Sequence, residues 1–201
     1  MKIKEMKQVV NLLYNEWDLG KTPSKAKGKI CAWIYLFEIL EESEYITFEK
    51  DNGQVIGVCG YAKWDSKKEL FKKKMYSIIK NILIHSPAIK NKEEIYKYMN
   101  DYDYTPKELE NYFDGEVSIL IVDKNYRGKG IGKKLILDTF KKAKEDDMKN
   151  LQILTDEACN FKFYENVGCK KVYEKMILNG EPDVCGYTEF AKGFIYEKVL
   201  Q

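Results

Sequence analysis

Apolar positions in the first segment recur at helical spacing: Met6, Val9, Val10, Leu13 and Tyr14 predict an amphipathic helix over residues 4–16. Gly20 and Pro23 punctuate its end. Ser24 is a suitable N-cap for a second helix, which carries Ile30, Trp33, Ile34, Phe37 and Leu40 on one face. The pattern then changes. Tyr45–Glu49 and Val55–Tyr61 read as two strands joined by the turn Asp51-Asn52-Gly53. Residues 65–113 read as helical and inserted between strands. Leu70, Phe71, Met75, Ile78, Ile79 and Ile82 predict a helix within 67–83 with a dense lysine face, and residues 93–99 predict another. A third opens at Thr105, with Pro106 at the first helical position and Glu108 placed for a capping box.

From Gly115 the pattern sharpens. Val117–Val122 is a continuous apolar, β-branched run of the kind found in strands covered on both faces. A basic, glycine-rich loop follows at Tyr126–Gly132. Ile131, Leu135, Ile136, Phe140 and Ala143 then share one half of a helical wheel, with Leu137 as an exception. Leu151–Leu154 reads as a strand, Asn160–Asn166 as a short helix, and Lys171–Leu178 and Gly193–Leu200 as closing strands. The expected fold class is a mixed α/β (α+β) sheet with helices before, within and after the strand series. No strand ahead of the first helix is convincing, since only Met1–Ile3 is available.

Composition narrows the function classes. The 201 residues, 44% apolar and 33% charged, suit one soluble domain spanning 1–201 with an insertion at about 65–113. A net charge of +2 argues against a general nucleic-acid binder. No apolar run approaches the ~20 residues of a membrane span, and MKIKEMKQVV lacks the apolar core of a signal peptide, so a cytoplasmic protein without membrane partners is expected. The five cysteines include no CxxC pair and fit reduced thiols. The single histidine, His85, reads as packing or surface, so no metal site is expected.

Strand, then Arg127-Gly128-Lys129-Gly130-Ile131-Gly132, then helix, is an anion-binding arrangement on physical grounds. Small residues let the backbone approach closely, and the unsatisfied N–H groups of the first helical turn point at the anion. The spacing excludes a P-loop, because Lys134 follows Gly132-Lys133, and it excludes a GxGxxG fingerprint. The plain alternative is a glycine-rich turn entering an ordinary basic helix.

The flanking context adds a resemblance. Arg127, Gly130 and Gly132 meet the Arg/Gln-x-x-Gly-x-Gly/Ala pattern, and Phe163-Tyr164-Glu165-Asn166-Val167-Gly168-Cys169 resembles a Phe-Tyr-x-x-x-Gly-Phe segment. Together they resemble the GNAT family of acetyl-CoA-dependent N-acetyltransferases. The resemblance implies a mostly antiparallel twisted sheet with flanking helices, the helical insertion preceding the cofactor-binding strand. It implies that the backbone of Leu120, Ile121 and Val122 meets the pantetheine arm, one N–H polarising the thioester carbonyl. The backbone of Arg127, Gly128, Lys129, Gly130, Ile131 and Gly132, with Lys133, would hold the pyrophosphate. Tyr164 would protonate the departing thiolate, a sensible transfer from a phenol of pKa about 10 to a thiolate whose acid is about 8.5.

Glu116 is either the base that receives the amine proton or a strand-end surface residue, and Asp114 is held in reserve. The family's Asn-x-x-Ala appears as Glu157-Ala158-Cys159-Asn160, so Asn160 stands three positions late and would contact the cofactor from the first turn of its helix, and Cys169 replaces a Phe. The expected reaction is acetyl transfer from acetyl-CoA to a small-molecule or peptide amine, by direct attack in a ternary complex, in a monomer or homodimer. Asp101, Asp103, Glu108, Glu110, Asp114 and Glu116 make the approach to the central strand acidic and suit a cationic amine. Two rivals remain: a CoA- or acyl-CoA-binding regulatory module without turnover, and a phosphate-binding structural domain.

Overall fold

A computed structural model describes residues 1–19, 24–66, 69–89, 92, 104–109, 111–179 and 190–200. Helices α1 (Ile3–Glu16) and α2 (Lys25–Glu42) lead into strands β1 (Ser43–Asp51) and β2 (Gln54–Lys63). Helix α3 (Leu70–Ile84) follows, then β3 (Gly115–Val122), α4 (Ile131–Glu145), β4 (Asn150–Asp156), α5 (Lys162–Asn166), β5 (Lys170–Asn179) and β6 (Phe190–Val199). Ser24 caps α2 as its sequence predicts, its hydroxyl accepting the Lys27 N–H at 3.1 Å. The β1–β2 turn places Asn52 and Gly53 at φ of 48° and 76°, the left-handed pair a tight hairpin needs. Helix α1 begins at Ile3, and among the described residues no strand precedes it.

The six strands form one sheet in the order β1-β2-β3-β4-β6-β5. Every neighbouring pair is antiparallel except β3 and β4, which run parallel and register at a single pair, Glu116 with Gln152. The sheet is therefore two antiparallel halves joined along a short parallel seam that diverges toward Val122. Between Gly60 and Ala62 of β2 the register with β3 slips by one, so Val117 and Ser118 together oppose Tyr61. This β-bulge re-aims the strand beside the seam.

Alternating side chains supply the two faces. Val58, Ile119 and Ile121 point into a core capped by α1, α2 and α3, with Leu13, Ile34 and Leu36 fully buried there. On the opposite face Leu135, Ile136, Phe140 and Ala143 of α4 pack on Cys59, Tyr61, Leu151, Ile153, Phe194 and Tyr196, and this cluster spans both halves. Each fully buried Leu or Ile contributes roughly 1.5–3 kcal/mol. A third, smaller cluster joins Tyr104 and Phe113 to Ile195, on the first face but over the β4–β6–β5 half.

The insertion departs from expectation. The opening at Thr105 yields a single 3-10 turn at Lys107–Leu109 rather than a longer helix. The Thr105 hydroxyl donates to Gln152 Oε1 at 3.3 Å instead of capping the backbone. Tyr104 and Phe113 bury themselves against the sheet, and Asn111 turns the chain at φ 67°. Tertiary anchoring at both ends outweighs the local capping signal. The helix expected over 93–99 lies outside the described residues. In α3 the apolar pattern divides: Tyr76, Ile79 and Leu83 pack inward, while Leu70, Phe71, Met75, Ile78 and Ile82 face outward. Its lysines divide too. Lys80 pairs with Glu38 and with Glu41, the latter at 2.7 Å, and Lys73 reaches the Glu42 carbonyl at 3.2 Å. Among the described residues no helix is long and apolar enough to cross a membrane.

Candidate active site

The loop after β3 exposes a row of main-chain donors. Gly128 and Gly130 adopt φ of +77° and +78°, and a Cβ at either would meet nothing within 4 Å. Gly130 is the N-cap of α4 and accepts the Lys134 N–H at 2.9 Å. The N–H groups of Gly128 through Lys133 find no protein acceptor among the described residues. They converge at the positive end of α4, an arrangement suited to a diphosphate. Arg127 serves differently. Its N–H donates to the Lys124 carbonyl at 3.4 Å, and its guanidinium bonds the Val122 carbonyl at 3.1 Å and the Glu16 carboxylate. Its side chain braces the loop from below. Lys129 lies over the Tyr126 ring at 4.8 Å, and Lys133 is exposed.

The seam supplies a second set of backbone groups. The Asp123 N–H donates to Ile56 of β2 at 2.9 Å, so by strand alternation Ile121 and Ile119 also turn their backbone toward β2. Leu120 and Val122 therefore face the diverging gap, where no ladder pair is found beyond Glu116–Gln152 among the described residues. Backbone edge and loop are continuous, as an elongated ligand with amides and a diphosphate requires.

Tyr164 of α5 packs against the same cluster as Leu120 and Val122. Its ring contacts Phe163 and Tyr196 at centroid distances of 5.5 and 5.6 Å. Burial raises its phenol well above the ordinary value, so it stays protonated at neutral pH. Three thiols surround it electrostatically. Burial pushes Cys59 and Cys169 up to about 12, and desolvation with the Asp156 carboxylate pushes Cys159 up to about 11. None is a thiolate at neutral pH. Asn160 is exposed, and its carbonyl accepts the Phe163 N–H at 3.0 Å. Asp156 instead orders the turn, its Oδ1 accepting the Ala158 and Cys159 N–H groups at 2.9 and 3.0 Å.

At the closed end of the seam, Glu116 Oε2 accepts a hydrogen bond from Gln152 Nε2 at 3.0 Å. Glu42, at the end of α2, stands close enough that the Glu116 charge acts on it. Desolvation first, then the charges of Glu116 and Glu38, push its carboxyl up to about 8. Asp114 is committed elsewhere: its carboxylate accepts the Lys149 N–H, and its carbonyl accepts the Trp64 N–H at 3.1 Å. It braces the start of β3. Of the acidic approach, Asp101, Asp103 and Glu110 lie outside the described residues. His85 is exposed at the end of α3, where Nδ1 contacts the Asn81 carbonyl at 2.8 Å. No group of three His, Cys, Asp or Glu among the described residues is arranged for a metal ion.

Residues 95–171 match the model of the acetyltransferase (GNAT) domain. Over that stretch the chain is similar to GNAT acetyltransferases. Solved structures share its fold. Arylalkylamine N-acetyltransferase 2 from Aedes aegypti aligns over 100% of this chain and 97% of its own, at 19% identity and a TM-score of 0.61. An aminoglycoside 6'-N-acetyltransferase complexed with coenzyme A aligns over 100% and 93%, at 12% identity and a TM-score of 0.56. A Bacillus anthracis str. Ames structure in complex with acetyl coenzyme A aligns over 78% of this chain and 62% of its own length, at 18% identity and a TM-score of 0.46. At such identities the likeness is one of fold. No curated protein matches the sequence.

Several residues that shape this site carry no motif. Glu16, 6% exposed, receives Arg127 and the Lys124 N–H at 3.1 Å, tying the loop to α1. An acid in the last turn of a helix opposes the dipole, which is the one sequence hint of a tertiary partner. Tyr126 donates to Asp51 at 2.7 Å, tying the loop to the hairpin. Tyr104 places its hydroxyl within 2.7 Å of the Thr155 carbonyl and 3.1 Å of the Thr155 N–H, over Gly193, where a Cβ would stand 2.7 Å from its ring.

Proposed function

We propose that this GNAT domain transfers the acetyl group of acetyl-CoA to a primary amine by direct attack in a ternary complex. The observation that carries the reading is the row of unpaired N–H groups from Gly128 to Lys133, continuous with the backbone edge of Leu120 and Val122. The coenzyme A bound to the aminoglycoside acetyltransferase of the same fold supports it. In this reading the loop and the head of α4 hold the diphosphate, and the seam edge bonds the pantetheine amides. An N–H beside the bulge polarises the thioester carbonyl, a preorganised donor aimed at developing negative charge.

Glu116 takes one proton from the acceptor ammonium, the free amine attacks the carbonyl carbon, and the thioester C–S bond breaks as the nitrogen releases its second proton to water. Tyr164 gives its proton to the departing sulfur. The raised thiols of Cys59, Cys159 and Cys169 support transfer without an acyl-enzyme, because a protonated thiol is a poor nucleophile. We assign the chain a single domain spanning 1–201 with an insertion at about 65–113, and a cytosolic small-molecule or peptide amine as acceptor.

Purified protein tests this with two readouts, thermal stabilisation by acetyl-CoA and free-thiol release across a panel of amines. Stabilisation and amine-dependent thiol release are expected, with Tyr164→Phe lowering kcat by roughly a hundredfold while stabilisation persists. Stabilisation without release on any amine would identify a CoA-binding regulatory module. Absence of stabilisation would leave a phosphate-binding structural domain.

A further inference from the structure

We propose that Gln152 is the positioning residue for the Glu116 carboxylate and that Thr105, from the inserted segment, fixes the orientation of its amide. The proposal rests on the reading that Glu116 receives the amine proton. Gln152 is 2% exposed, one of three buried polar side chains beside thirty-seven buried hydrophobic ones among the described residues. An amide in such a place is costly unless both ends are bonded. Here both are: Nε2 donates to Glu116 Oε2 at 3.0 Å, and Oε1 accepts from Thr105 Oγ1 at 3.3 Å.

The register explains the meeting. Glu116 and Gln152 are the pair at which β3 and β4 touch, so their side chains leave the same face side by side. An ionised carboxylate can only accept, which forces the amide nitrogen toward Glu116 and the amide oxygen toward Thr105. The chain is directional, from Thr105 O–H to amide to carboxylate. It holds one oxygen of Glu116 and favours the charged form needed to take a proton.

Charged groups around Glu116 come from several elements. Glu42 of α2 opposes it, with Glu38 and Glu41 behind, both paired to Lys80 of α3. Lys63 of β2 directs its ammonium to the Asp146 carbonyl at 2.6 Å, away from the seam. Asp114, just before β3, is bonded to the Lys149 N–H just before β4. From the inserted segment, Lys107 and Glu108 are exposed. The nearest carboxylate thus disfavours charge on Glu116, and Gln152 opposes that effect.

The test is the pH profile of kcat/KM for an accepted amine, measured on the full chain with acetyl-CoA saturating. Gln152→Leu keeps the volume and removes the donor. Its acid limb is expected to move to higher pH, giving roughly tenfold lower kcat/KM at pH 6 and near wild-type values at pH 9. Thr105→Val frees the amide to turn and should shift the limb in the same direction by less, while Thr105→Ser should restore the wild-type profile. A uniform loss at every pH, or an unmoved limb in both Gln152→Leu and Thr105→Val, overturns the proposal. Glu116→Gln separates the two readings. If it keeps the wild-type rate and limb, the base assignment fails and this proposal falls with it. If it abolishes the limb while Gln152→Leu leaves it in place, only the proposal for Gln152 fails. Should Gln152→Leu not fold, the Thr105 pair decides.

Discussion

The loop from Asp123 to Lys133 and the carboxylate side around Glu116 are built in opposite ways. The loop is contiguous, and its working groups are backbone N–H donors presented by two glycines at positive φ and one helix end. The Glu116 side draws single side chains from α2, β3, β4 and the inserted segment, and the register of one parallel pair brings them together. A site made of backbone tolerates changes in its side chains but not in its φ angles. A site made of side chains depends on strands reaching the right register. The two should therefore fail differently when struck.

Glycines give the sharpest contrast, with the largest effect first. A Cβ at Gly115 would stand 2.0 Å from the Ala62 carbonyl oxygen and 2.7 Å from Met148 Cε. Gly115→Ala should force β3 away from β2 and lower Tm by roughly 10 °C, read by calorimetry. Gly130 has open space around it and a φ of +78°, so Gly130→Val strains only the backbone. We expect the KM for acetyl-CoA to rise about tenfold or more, with the amine KM and Tm little changed. Equal damage to both KM values would erase the distinction between the two sides.

The smallest effect belongs to Glu42, whose carboxyl is pushed from 4.5 up to about 8 by burial and then by the Glu116 charge. Between those values the folded protein holds a proton that the unfolded chain releases, so stability declines as pH rises through this window. Glu42→Gln should match wild type near pH 5 and exceed it by roughly 2 °C in Tm at pH 9, partial solvent exposure limiting the gain. A gain that does not grow with pH would show that the two carboxylates do not interact.

Legibility in the sequence followed the same division. The anion loop, its helix, the hairpin turn and the Ser24 cap could be read because each depends on neighbours in the chain. Arg127 is visible in the sequence as a loop residue, yet its partner Glu16 lies in another helix and leaves only an unfavourable charge at a helix end as a sign. Gln152 falls within the strand expected at Leu151–Leu154, and nothing local ties it to Glu116. Thr105 carried a good capping pattern that its bond to Gln152 overrides. Glu116 and its reserve Asp114 both stand near a strand start in the sequence. Backbone bonding separates them, since Asp114 is held by the Lys149 N–H.

The seam between β3 and β4 has a consequence for the molecule as a whole. A sheet ordinarily satisfies its own main chain; among the described residues this one leaves the backbone of Leu120 and the Val122 N–H without a strand partner through its middle, the Val122 carbonyl being held by Arg127, with the α4 packing cluster holding the halves together across it. An elongated ligand bonded along that edge would act as a missing rung between the halves, so occupancy and mechanical integrity become one equilibrium. Protection of β3 and β4 against solvent would then rise and fall together with the ligand concentration, and the empty protein is the softer one along this line.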